Sequence, residues 1–268
     1  MGQSLKIVIA TTTLYGSLEE TRAQLAIKTI REAKGHNYKI VVVDASNKKG
    51  IGKAFRNEGA IVFPQKEKTM GQGRRQALEE AGKIVSQQGY VVWTEPEKYN
   101  FISFLEKIVA QMKRNGADLA IPFRSEKSRA SYPQFQRRAE DLNNLIFSWL
   151  LRKKVRREDL NNFTSLCLLK GESEIDHCVG VRIIGPKALP LFLRYKGEYG
   201  GKWASILFPV LTAIMDPEIR VMIGPRIDLM YPPEQRKEEE GELAEEMFEK
   251  RREQLRNTLD LVLSQVQA

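Results

Sequence analysis

Two glutamates stand one residue apart in Thr94-Glu95-Pro96-Glu97, directly after the apolar run Tyr90–Trp93. Carboxylates so placed offer hard oxygen ligands to a divalent cation, Mg2+ or Mn2+, that bridges a diphosphate. The competing reading makes Pro96 the start of a helix and Glu97 a favourable charge at its dipole. Asp44 closes another apolar run in Val41-Val42-Val43-Asp44-Ala45-Ser46. A carboxylate there can accept from a nucleoside base or a ribose hydroxyl, or simply cap the following turn. Gly71-Gln72-Gly73-Arg74-Arg75 opens a helical stretch. Its glycines let backbone approach a ligand, a helix N-terminus favours anions, and two arginines suit a diphosphate. It is not a dinucleotide fingerprint, since it does not follow the first strand and lacks the third glycine. The plainer alternative is a helix start with surface arginines. His177 is a candidate third metal ligand, with Asp176 or Glu174 as a base; the alternative is a surface acid–imidazole pair. Glu198, in the glycine-rich turn Gly197–Gly201, is a second candidate base.

These residues need a scaffold, and the pattern around them supplies one. Lys6–Thr11, Tyr38–Val43, Ala60–Phe63, Tyr90–Trp93 and Leu119–Phe123 are short β-branched runs of the kind buried parallel strands show. Helical patterns separate them: one from the Ser17 N-cap to Gly35, then Ile51–Asn57, Met70–Gln88 and Phe101–Arg114. Strict β–α alternation predicts an α/β fold with a mostly parallel sheet flanked by helices. Ligands of such sheets sit beyond the carboxyl ends of the strands. Thr11–Thr13, Asp44–Ser46, Gln65–Gly73 and Thr94–Glu97 should therefore converge. The later sequence is less regular. It predicts a helix over Pro133–Arg157, a strand over Val179–Ile184 and helices over Pro186–Arg194 and Trp203–Met215. Two short strands, Arg220–Ile223 and Ile227–Met230, follow, and then one charged helix, Glu234–Gln267.

The bulk properties agree with a globular enzyme-sized domain. The chain has 268 residues, 42% hydrophobic and 29% charged, with a net charge of +9. No apolar run reaches the length of a spanning helix. The start, MGQSLKIVIATTT, runs straight into a strand pattern, so a cytoplasmic protein is expected. Cys167 and Cys178 have no metal or disulfide spacing. Positive charge concentrates between Arg124 and Glu158, where ten Lys/Arg face four Asp/Glu. Such a patch draws phosphates, or it is a solvated helix face. Within it, Trp149–Arg157 joins apolar bulk to basic charge. That leaves peripheral membrane contact, a phosphorylated or lipid-linked acceptor, and a plain core-facing helix all open. Interleaved aromatics are too few there for nucleic-acid stacking.

Taken together, the segments of residues 5–125 resemble the GT-A fold of family-2-like glycosyltransferases. Asp44-Ala45-Ser46 is similar to the family's D-D-x-S segment, whose leading aspartate contacts the base. Met70–Arg75 is similar to its glycine-rich helix start beside the donor. Glu95-Pro96-Glu97 stands where the family carries its D-x-D metal motif. The resemblance implies a Rossmann-like GT-A layer over residues 1–125, an acceptor-side region over 126–233 and a terminal helix over 234–268. It also implies transfer of a sugar from a UDP- or GDP-linked donor. Thr11 and Asp44 would hold the nucleoside, Gly71, Gly73, Arg74 and Arg75 the diphosphate, and Glu95, Glu97 and His177 a divalent ion. Glu198 and Asp176 are the candidate bases. The family's acceptor-side acid pair has no counterpart near Gly201-Lys202-Trp203. Two other classes stay open. A sugar-phosphate nucleotidyltransferase would carry a basic, glycine-rich loop after the first strand, whereas this chain has Thr11–Gly16. A non-catalytic membrane- or nucleic-acid-binding protein would not need Glu95 and Glu97. The terminal helix would pack on its own domain or on a second copy in a homodimer.

Overall fold

The computed structural model describes residues 6–85, 88–154, 175–197 and 201–267, apart from the side chains of residues 49, 152–154 and 264–267. Seven strands form one sheet: β1 (Ile7–Thr13), β2 (Lys39–Asp44), β3 (Ile61–Pro64), β4 (Tyr90–Trp93), β5 (Leu119–Arg124), β6 (Arg182–Ile184) and β7 (Val221–Ile227). Their order is β3-β2-β1-β4-β6-β5-β7. All pairings are parallel except those of β6, which runs antiparallel between β4 and β5. The strands from the apolar runs are nearly solvent-free. Val41, Val42 and Val43 are fully buried, as are Ile9, Val92 and Ile121, which is what a sheet covered on both faces demands.

Helices α1 (Thr21–Gly35), α2 (Lys49–Glu58) and α3 (Met70–Ile84) connect the first four strands. Because the chain steps outward through β1, β2 and β3 and then returns to β4, right-handed crossovers put α3 on the face opposite α1 and α2. The strand order reverses between β1 and β4. At that switch point the strand ends diverge and open a crevice.

The remaining helices are α4 (Leu105–Asn115), α5 (Glu126–Ser131), α6 (Gln134–Lys154), α7 (Leu189–Arg194), α8 (Ala204–Met215), α9 (Pro233–Glu240) and α10 (Ala244–Gln267). Helix α10 packs along α6 and touches α8 and α9, so the terminal helix lies on its own domain. No described helix is long and apolar enough to cross a membrane.

Four local expectations are corrected. Helix α1 starts at Thr21 and not at Ser17, because the Glu20 carboxylate takes the N–H groups of Gly16 and Ser17 at 2.6 and 2.8 Å and holds that stretch in a turn. The 101–114 helix is a 3-10 segment, Tyr99–Phe104, followed by α4. The two strands expected around Gly224 are one strand, β7. Gly224, at φ 112°, lets the strand shift register against β5 without ending. The single helix expected over 234–267 breaks at Gly241, and the buried Glu239 side chain fixes the first piece by accepting from Arg22 at 2.5 Å, Tyr231 at 2.5 Å and Gln235 at 3.0 Å.

Candidate functional site

A cleft of about 760 Å³ lies over the switch point. Its floor is the end of β1 and the Thr94–Lys98 segment after β4; its walls include α3, α6, α9 and α10. On the β1 side, Thr13 donates to Asp44 at 2.8 Å, and Asp44 also accepts from the Ser46 amide at 3.0 Å. The Ser46 hydroxyl in turn accepts from the Tyr15 amide at 2.9 Å. Thr13 and Ala45 line the cleft, and the half-buried Asp44 stands just behind them. Thr11 is buried beneath, its hydroxyl without a partner in the protein.

Helix α3 enters from the side. Thr69 and Gln72 form a capping box, with the Thr69 hydroxyl accepting from the Gln72 amide. Gly71 N–H donates to the Gly201 carbonyl at 2.6 Å, and Gly73 N–H to Thr69 at 3.0 Å. The N–H groups of both glycines, expected to face a diphosphate, are thus paired within the protein, and neither glycine is among the cleft-lining residues. A Cβ on Gly71 would stand 2.7 Å from the Gly201 carbonyl oxygen. Gly71→Ala is expected to cost about 1–3 kcal/mol by overpacking, read as a lower urea midpoint; an unchanged midpoint would show that this contact gives way freely. Arg75 does not join the cleft either, since it reaches back to the Tyr195 carbonyl at 2.7 Å.

Arg74 does join it. Its guanidinium lies between the rings of Trp93 and Trp203, 5.5 and 5.1 Å from their centroids, and donates to the Lys202 carbonyl at 2.8 Å and to Ser205 at 3.2 Å. Burial lowers its pKa to about 10, against the pull of Glu95. Across the cleft stand cationic side chains that sequence reasoning missed: Arg22 of α1, Lys98, Arg182 of β6, and Lys250 and Arg251 of α10. No local motif marks them, because they come from four separate segments. Burial, reinforced by Arg22 and Arg251, brings Lys250 down to about 8.

Glu95 and Glu97 sit on the cleft floor among these cations. Lys98 Nζ pairs with Glu95 at 2.8 Å and also donates to the Val179 carbonyl. Burial opposes ionisation of Glu95, but Lys98, Arg251 and Arg74 outweigh it and hold the carboxyl at about 2. Burial raises Glu97, against the pull of Arg22. A divalent ion finds suitable oxygens here, but it would compete with cations already in place, because Glu95 is paired with Lys98 and Arg22, Arg74 and Arg251 act on the two carboxyls. Among the described residues no group of three His, Cys, Asp or Glu side chains is arranged to hold a metal. The expected Glu95–Glu97–His177 set is thus not assembled. His177 is 1% exposed and stacked on Phe147 with centroids 4.3 Å apart.

Asp176, the other candidate base, is not among the cleft-lining residues. It accepts twice from the Arg124 side chain, at 2.7 Å each, and from Asn144 at 3.3 Å, with 2% exposure. Burial pushes its pKa up, but Arg124 prevails and holds it at about 2. A carboxylate so satisfied is a structural anchor. Glu198, Glu174, Cys167 and residues 155–157 of the basic stretch lie outside the described residues. On α6, Leu142, Leu145 and Trp149 are exposed.

Burial, with Arg182 adding, lowers the His177 pKa to about 3. An unfolded imidazole titrates near 6.5. Between those values the unfolded chain holds a proton that the folded one does not, so stability is full above about pH 6.5 and falls with acidification. From pH 7 to pH 5 the loss is about 2 kcal/mol. Urea midpoints of the wild type should drop over that range, and those of His177→Phe should stay nearly level. Equal slopes would remove His177 as the cause.

No protein-family model matches the sequence, and no curated protein matches it. Solved structures match its fold. Glucosyl-3-phosphoglycerate synthase from Mycobacterium tuberculosis, in complex with Mn2+, uridine diphosphate and glucosyl-3-phosphoglycerate, aligns at a TM-score of 0.52 and 13% identity, over 87% of this chain and 75% of that one. The same synthase with phosphoglyceric acid aligns at 0.52 and 12%, with the same coverage. Mannosyl-3-phosphoglycerate synthase from Rubrobacter xylanophilus aligns at 0.52 and 14%, over 97% of this chain and 73% of that one. At these identities the likeness is one of fold: the chain has the GT-A fold that these glycosyltransferases share.

Proposed function

We propose that the protein is a glycosyltransferase that takes its sugar from a nucleoside-diphosphate donor, UDP- or GDP-linked, bound in the switch-point cleft. The observation that carries this reading is the set of buried polar atoms around the cleft. Among the described residues, every buried side-chain nitrogen or oxygen without a protein partner, other than Thr11 Oγ1 and Asn100 Oδ1, belongs to a cleft-lining residue. Buried polar groups are normally paired, so a wall of unpaired ones is a surface shaped for a polar ligand. In this reading the Thr13–Asp44–Ser46 corner faces the nucleoside. Arg74, clasped by two indoles, faces the diphosphate and stabilises it as the leaving group. The outer cleft between α6 and the α9–α10 pair receives the acceptor, for which the phosphoglycerate bound by the fold neighbour suggests an anionic compound. The expected Mg2+ or Mn2+ is not carried into this reading, because the surroundings of Glu95 and Glu97 do not fit it.

The loop after β1 weighs against the nucleotidyltransferase alternative. The Glu20 carboxylate occupies the Gly16 and Ser17 N–H groups, where a triphosphate would need them. A thermal-shift panel of UDP-, GDP- and ADP-sugars tests the proposal. Ligand at 100 times its dissociation constant adds about 2.7 kcal/mol, so a binder should raise Tm plainly. No shift with any sugar nucleotide, with or without Mn2+, would sink it, and pyrophosphate release from an NTP plus a sugar phosphate would favour the alternative.

A further inference from the structure

We infer that side-chain cations, and not a bound divalent ion, neutralise the donor diphosphate in this cleft; the inference rests on the nucleotide-sugar reading above. Seven basic residues line the cleft, Lys68 and, on the walls that include the Glu95–Glu97 pair, Arg22, Arg74, Lys98, Arg182, Lys250 and Arg251; seven glutamates line it with them. Among the described residues, Lys98 has an ion pair with Glu95, Arg22 has one with Glu239, and Arg251 stands 3.9 Å from Glu140, while Arg74, Arg182 and Lys250 form none. Glu140 and Glu239 are themselves already engaged, by Arg124 at 2.7 Å and by Tyr231 at 2.5 Å. Glu20 is held by backbone N–H groups. That leaves Glu97, Glu238 and the exposed Glu246 as the other acids on the wall.

The geometry of the donors points the same way. All four arginines of the cleft, Arg22, Arg74, Arg182 and Arg251, carry a buried Nε–H with no acceptor in the protein, and so does the indole N–H of Trp203. Phosphate oxygens satisfy such donors, whereas a metal ion accepts no hydrogen bond. Buried cations of like sign are costly when underpaired, and a diphosphate entering among them lowers that cost. A divalent ion entering first would raise it, since Lys98 would have to leave Glu95 and the ion would face Arg74, Arg182 and Arg251. The E-P-E motif is in this view a counter-charge that keeps the cations in place between turnovers.

Calorimetric titration of UDP and GDP into the chelated protein, in EDTA and again with Mn2+ in excess, tests this. For whichever nucleotide binds, the dissociation constant should differ by less than threefold between the two conditions. Binding that tightens threefold or more with Mn2+ overturns the inference and leaves the nucleotide reading standing. Binding in neither condition overturns both. Two further measurements do not depend on that comparison. Glu95→Gln and Glu97→Gln should each keep or tighten UDP or GDP affinity in EDTA, and a tenfold loss would count against the inference. The free-ion Mn2+ resonance spectrum should be no weaker with protein and nucleotide together than with nucleotide alone. A further loss of signal would place the ion in the site.

Discussion

Arg124→Met is expected to cost about 3–5 kcal/mol of folding stability, the range for breaking a buried ion pair from one side. Arg124 ends β5 with 2% exposure. Its guanidinium makes two 2.7 Å bonds to Asp176 and one to Glu140 on α6, and its Cζ lies 4.6 Å from the Tyr132 ring centroid. Methionine fills the volume but leaves Asp176 buried without its cation and Glu140 with only Arg251, 3.9 Å away. Asp176, with burial no longer opposed by Arg124, would then ionise less readily than in the unfolded chain. Its folded pKa would exceed the unfolded one, so the variant's deficit should shrink as pH falls and grow as pH rises through those values. Urea denaturation at pH 7 and pH 5 reads both parts. A loss below 1 kcal/mol at pH 7 would mean that the triad contributes little. Adding Asp176→Leu to the methionine variant should recover part of the loss, because an apolar pair is often as stable as a buried ionic one.

Arg74→Met should move two readouts in opposite directions. Hydrogen bonds to a charged partner are worth roughly 1.5–3 kcal/mol, so affinity for the nucleotide sugar should fall about 10- to 100-fold. Stability should stay level or rise. Among the described residues Arg74 forms no ion pair and its Nε–H has no acceptor, and burial already disfavours its charge. A cation held under such conditions is typical of a functional site maintained against stability. Arg74→Lys should keep part of the affinity but lose the guanidinium's contacts with the Trp93 and Trp203 rings. A Tm drop of 10 °C or more in the methionine variant, with affinity unchanged, would make Arg74 a structural residue.

The strands were legible because each is a buried β-branched run, and a run such as Lys39–Asp44 reads the same before and after folding. The order of strands and helices also carried the crevice: a parallel α/β sheet puts its loops at one edge, so Asp44 and the Thr94–Glu97 segment had to approach each other. Helix starts were read less well. Ser17 looks like a cap, yet Glu20 organises that turn, since a carboxylate three residues on competes for the same N–H groups. Gly71 and Gly73 looked like a phosphate cradle. A glycine needed for close packing against Gly201 and one needed for a ligand leave the same mark in a sequence.

By itself, then, the sequence determined the α/β class, the seats of Asp44, Arg74, Glu95 and Glu97 at one end of the sheet, and the polar character of that end. Only the tertiary structure decided what surrounds them. Strand β6 enters antiparallel between β4 and β5 and brings Arg182 and the Asp176–Arg124 pair, whose members are 52 residues apart. Helix α10 folds back along α6 and adds Lys250 and Arg251. Charge acts over a few ångströms and its sign at a site is a sum over neighbours. The identity of those neighbours is long-range information, so Glu95-Pro96-Glu97 reads as a metal motif in one dimension, while the cations that act on it, Arg22, Arg74, Lys98 and Arg251, are seen only in three.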